Sequence, residues 1–125
     1  MTHAWACLQL SETGRPVART RRARTLWHRF RGLMLAPPLV PGEALWLPAC
    51  HAVHTALLRG AIDLLFLRGQ RIIRVASEVA PWRVVVCPGA DSVVELAAGE
   101  VARLGLTPGQ SLEVRPEAAG AERVA

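Results

Sequence analysis

Cys50, His51 and His54 form the densest group of metal-capable and nucleophilic side chains in this sequence, inside the stretch ACHAVHTALL (49–58). On a helix, Cys50 and His54 would share one face at i, i+4, and His51 and His54 at i, i+3. On a strand, His51 and His54 would point to opposite sides. Zinc takes four protein ligands, or three and a water. Cys87 or Asp63 could complete a set begun by Cys50, His51 and His54. The spacing lacks the second close pair that makes zinc motifs specific, and it is not the haem-attachment order. The competing reading makes Cys50 a small buried hydrophobe, with the two histidines hydrogen-bonded at a sheet edge. The expectation is therefore a chain without a cofactor, with zinc as the alternative.

Asp63 stands inside the apolar run AIDLLFL (61–67). A carboxylate among such neighbours must find donors or hold its proton. His54, Thr55, Arg59 and backbone N–H groups are the candidate donors. A Cys-His-Asp set on Cys50, His51, His54 and Asp63 could in principle run hydrolase-like nucleophilic chemistry. Its order and spacing match no mechanistic signature, so the reading leans away from an enzyme. The plainer role for Asp63 is to tie its strand to a neighbouring loop. Trp82 either lines a pocket or covers the rim of the core. Glu95, in SVVEL, is either an arginine partner or solvent-facing by strand alternation. The expected site is a cleft around Cys50, His51, His54, Thr55, Asp63 and Trp82 that binds a small ligand or a partner protein.

The composition limits the chemistry further. The chain has 125 residues and contains no Lys, Asn or Tyr. Schiff-base and phosphate-loop lysines and tyrosine acids are thereby excluded. The net charge is +5, and it is unevenly placed. Residues 1–35 hold seven Arg and one acid, a balance of +6, while residues 36–125 hold eight Arg and nine acids, a balance of −1. Arg21, Arg22, Arg24, Arg29 and Arg31 form the candidate anion-binding group, suited to nucleic acid or an anionic surface. Trp27 and Phe30, which could have stacked on bases, fall on the apolar arc of the same segment, which argues against nucleic acid. Three cysteines (Cys7, Cys50 and Cys87) and no export leader argue against a disulfide framework and for a cytoplasmic protein, while a Cys50–Cys87 bridge would need the two Cα atoms within ~7 Å and an oxidising compartment. No apolar run approaches the ~20 residues of a membrane span.

Around these residues the sequence predicts short strands and few helices. A strand over 4–10, a turn at Ser11–Arg15 and a strand over Pro16–Thr20 read as a hairpin. Residues 21–34 have helical period, with Leu26, Phe30, Leu33 and Met34 on one arc. Ala44–Leu47, Trp82–Cys87, Ser92–Leu96 and Ser111–Val114 read as strands, and 61–76 as a hairpin turning at Arg68–Gln70. Ala97–Leu104 switches to helical spacing with Gly105 as its C-cap. Thr107–Gln110 fits a type II turn. The sum is one mainly β domain over 1–115, a compact antiparallel sandwich or half-open barrel with one or two short helices, and a frayed tail at 116–125.

Seven segments in order carry a family resemblance: RGLML (31–35), PGEALW (41–46), CHAVHT (50–55), AIDLLFL (61–67), RIIRV (71–75), APWRVVVCPGA (80–90) and VVELAAGEVARLGLTPGQ (93–110). Together they resemble the family called domain of unknown function 192, over residues 15–115. The resemblance implies a small β-rich domain with a short helix carrying the Arg-Gly-Leu-Met segment, and no established activity. Many members have Trp-Met-Lys-Asn where this chain has His54–Leu57, and Pro where it has Ala61. Roles argued from that version do not transfer. The Cys-His-x-x-His version resembles a subgroup found in the setting of pilus assembly, which implies an accessory role in a cell-envelope system.

Overall fold

The computed structural model describes residues 5–22, 39–56 and 58–116. Nine strands and one helix are described: β1 (Ala6–Leu10), β2 (Pro16–Arg22), β3 (Glu43–Pro48), β4 (Ala52–His54), β5 (Ile62–Arg68), β6 (Arg71–Val79), β7 (Val84–Val86), β8 (Ser92–Ala97), α1 (Glu100–Leu104) and β9 (Leu112–Pro116). Seven strands make one sheet in the order β6-β5-β8-β3-β2-β1-β9, and β4 pairs with β7 as a separate ribbon. All pairings are antiparallel except β2 with β3.

The large sheet curls on itself. Arg71 bridges Ser111, bringing the start of β6 to the start of β9. Ile72 N–H donates to the Gln110 carbonyl and Leu112 N–H to the Gln70 carbonyl, each at 2.8 Å. The result is a half-barrel, the second of the two architectures expected. Curling pairs backbone groups at the start of β6 with those around Ser111 that an open seven-stranded sheet would leave at its edges.

Two apolar clusters lie on opposite faces of the sheet. Leu8, Leu10, Ala44, Leu65, Leu67, Val94, Leu96 and Leu112 fill the inside of the half-barrel, joined by Val101 of α1 and Leu106 after it. Leu45, Leu47, Ile62, Leu64, Phe66 and Val93 pack on the outer face beneath Val53, Val85 and Cys87 of the ribbon. Strands β5 and β8 are therefore covered on both sides, and their sequences read as continuous apolar runs.

The hairpins β1–β2 and β5–β6, and the Gly105 cap with φ 66°, follow the sequence expectations. One element does not. Strand β2 runs through Arg22, so the first two residues of the expected 21–34 helix are extended and pair with Leu45 and Trp46. Their parallel bond to β3 outweighs local helical period. The rest of that helix, and the tail from residue 117 on, lie outside the described residues.

Candidate functional site

The ribbon gathers most of the residues singled out in the sequence. Thr55 is fully buried and knots the two arms together. Its N–H donates to the Arg83 carbonyl at 2.8 Å, and its carbonyl accepts from Trp82 N–H at 3.1 Å. Its hydroxyl donates to the Ala80 carbonyl at 2.7 Å and accepts from Arg83 N–H at 2.8 Å. A buried threonine with every polar group engaged is a structural fastener. The thiol of Cys50 donates to the Ala52 carbonyl at 3.1 Å. His51, His54 and Trp82 are exposed, and Cys7, Cys50 and Cys87 are free thiols. Among the described residues, no three His, Cys, Asp or Glu side chains converge on a point that could hold a metal.

Asp63 belongs to the opposite side of the sheet. Alternation along β5 sends Ile62, Leu64 and Phe66 outward toward the ribbon and Asp63, Leu65 and Leu67 inward. The carboxylate is fully buried, and both its oxygens accept backbone amides: Oδ1 from Glu78 at 2.7 Å and Oδ2 from Val101 at 2.8 Å. Each bond settles a local problem. Glu78 sits at φ 51° where the β5–β6 register shifts, so its amide falls out of the ladder. Helix α1 begins on Gly99, which has no side chain to cap it, and Asp63 supplies the missing carboxylate at the second amide of the helix. Glu100 then ties the helix to the turn before β3, accepting from Gly42 N–H at 3.1 Å while paired with Arg103. The Arg103 guanidinium holds the Glu100 carboxyl below the usual carboxylate range.

Thus Cys50, His51, His54, Thr55 and Trp82 are spread along one ribbon, with Cys50 and His51 toward one end and Thr55 and Trp82 at the other, and Asp63 lies across the sheet from them. Of the arginine group, Arg21 and Arg22 end β2; Arg24, Arg29 and Arg31 lie outside the described residues. The Arg21 guanidinium stacks 5.8 Å from the Trp5 ring, and that of Arg19 lies at 4.5 Å. Two cations on one indole make a stacked strip on the outer face.

Two features escaped the sequence reading. Glu95 is 3% exposed, and its Oε2 has no partner among the described residues. It lies between Leu45 and Leu64 on the outer face. Burial pushes its carboxyl up to about 8. The expectation that Glu95 faces solvent fails, because a strand covered on both faces has no solvent side to alternate toward.

The second feature is a cleft of about 220 Å³ inside one end of the half-barrel. Leu8, Leu67, Val94 and Leu112 form its apolar walls, with Trp46 and Val114 beside them. Gly69, Gln70 and Ser92 bring the polar groups. Five strands contribute, and the curl closed by the Ile72–Gln110 and Leu112–Gln70 bonds brings their ends face to face.

Curled sheet, capped helix and cleft define a β-rich half-barrel domain. The chain belongs to the DUF192 family, described as "Uncharacterized ACR", whose profile matches residues 8–114. A UPF0127 protein of Thermococcus sibiricus is 29% identical over 100 residues, covering 76% of this chain and 65% of that protein. The chain thus spans about two-thirds of the length of that curated relative. Two solved structures share the fold. One, from Sinorhizobium meliloti and provisionally described as a transcription regulator, has TM-score 0.78 and 22% identity, covering 91% of this chain and 96% of that one. The other, a protein of unknown function from Novosphingobium aromaticivorans, has TM-score 0.75 and 23% identity, covering 87% and 84%. Among the described residues, no helix is long and apolar enough to cross a membrane.

Proposed function

We propose that this chain is a non-enzymatic binding domain whose site is the cleft inside the half-barrel. Its ligand is a small, mostly apolar molecule with one hydrogen-bonding group. The observation that carries this reading is the cleft itself: apolar walls, a tryptophan at the side and a few polar groups at one end. That is the usual make-up of a small-molecule pocket. An engineered cavity of about 150 Å³ takes benzene, so the larger volume here suits roughly nine to eleven non-hydrogen atoms. At about 0.5 kcal/mol per atom, a ten-atom ligand would bind with a Kd on the order of 0.1–1 mM.

The probe is 4-propylphenol, titrated against the full chain and followed by ligand-observed NMR. Binding in that range is expected. Val114→Trp, at the exposed rim of the cleft, should abolish it without lowering the thermal midpoint. Failure of 4-propylphenol, indole and hexanol alike to bind below about 10 mM would overturn the reading. Binding that Val114→Trp leaves intact would overturn it as well.

A further inference from the structure

The ribbon presents a surface that the cleft does not use. Trp82 is 66% exposed, Val84 72% and Val86 46%. All three recur at every second residue, so Val84 and Val86 leave the same side of β7, while Val85 points into the outer core. Trp82 holds φ 65°, a left-handed conformation that is unfavourable for a non-glycine residue. The two bonds from Trp82 N–H and Arg83 N–H to Thr55 keep it there. The fold thus holds a large indole in water against a conformational penalty.

Among the described residues, no strand pairs with the backbone edge beside these side chains. Thr55 N–H bonds the Arg83 carbonyl, and Cys87 N–H bonds the His51 carbonyl. With the register Ala52↔Val86, Val53↔Val85 and His54↔Val84, the odd-numbered residues face one another across the ribbon. Val84 and Val86 therefore direct their N–H and C=O groups away from β4, over the outer edge of β7. Arg74 Nη1 meets the Val86 carbonyl at 2.9 Å. Among the described residues, the Val84 N–H, the Val84 carbonyl and the Val86 N–H meet no partner and face outward, where a further strand could add.

Charge selects what that strand carries. Residues 49–62 and 79–90 contain no Asp or Glu, but hold His51, His54, Arg59 and Arg83, all exposed. A second copy of this chain, laid against β7, would bring Arg74 and Arg83 toward their own duplicates. An acidic segment would meet these guanidinium groups with the opposite sign.

We propose that the outer edge of β7 is a docking strip for an extended acidic segment of a partner protein, which adds to the ribbon as a third strand and packs apolar residues on Trp82, Val84 and Val86. Main-chain bonds would give affinity, and alternate side chains specificity.

The test titrates the ¹⁵N-labelled full chain with a capped peptide of alternating valine and glutamate, and with its valine–lysine counterpart. The expected result is a set of shifts at the Val84 and Val86 amides and the Trp82 indole N–H. The lysine peptide should bind at least about tenfold more weakly. Val84→Pro should remove binding while the ribbon stays folded, because the Val84 amide does not serve the β4–β7 ladder. Should the proline disturb the ribbon, Val84→Glu keeps the backbone and should weaken the glutamate peptide by repulsion. No shifts with either peptide, shifts only elsewhere, or equal affinity for both charges would overturn the proposal. So would a peptide-free dimer with shifts at β7, which would make a second copy the occupant.

Discussion

Glu95→Gln isolates the buried carboxyl on the outer face. The unfolded chain loses the Glu95 proton near the ordinary value of 4.5, and the folded chain keeps it up to about 8. Between those limits the unfolded state binds fewer protons, so folding stability falls as pH rises through that window and is level above it. Glu95 is buried, so solvent screening does little to reduce the effect. From about pH 5 to about pH 7.5 the loss amounts to roughly 3 kcal/mol, at about 1.36 kcal/mol for each step of one in pH. That is a large fraction of a typical domain's stability. Glutamine has the shape of the protonated carboxyl and does not titrate. Urea unfolding followed by tryptophan fluorescence, at several pH values in this window, gives the stability of both proteins. The difference between them should grow by about 3 kcal/mol in favour of the variant across the window. A difference that stays constant with pH would refute the reasoning, because it would mean that Glu95 titrates alike in both states.

Three further outcomes follow from the site. Asp63→Asn replaces one acceptor oxygen with an NH₂ group facing a backbone amide, and should cost about 2–3 kcal/mol by urea unfolding, with faster exchange at the Val101 amide. Stability equal to the parent would remove its role as the cap of α1. Thr55→Val keeps the shape but strands the Ala80 carbonyl and the Arg83 amide, so the Val85 amide should lose protection by about 2 kcal/mol or more in hydrogen exchange. Protein purified without a histidine tag should carry no stoichiometric metal; a metal that disappears in His54→Ala would restore the zinc reading of Cys50, His51, His54 and Cys87.

Local signals were legible where local physics decides. The β5–β6 hairpin turns at Gly69 with φ 59°, and α1 ends at Gly105 with φ 66°, both positions that need glycine. The Cys50–Thr55 stretch runs along one arm of the ribbon, with Cys50 bonded to Asp91 at one end and Thr55 to Trp82 at the other. What the sequence hid depends on which face is covered. Asp63 looked like a neighbour of His54, but one step of strand period places it on the inner side with α1. Glu95 looked solvent-facing because alternation assumes a wet side, and β8 has none. Arg21 and Arg22 carry helical period yet pair with β3, since a parallel ladder forms between segments that no local window sees together. The cleft was invisible for the same reason. Leu8, Trp46, Val94 and Leu112 each read as ordinary core, and only the curl of the sheet brings them around one space.

The most direct test of the binding reading is where a bound probe lies. With 4-propylphenol on the methyl-labelled full chain, intermolecular NOEs should run to the methyl groups of Leu8, Leu67 and Leu112, which line the cleft. NOEs confined to Val84 and Val86 of the ribbon, or to no methyl group of the cleft, would contradict it.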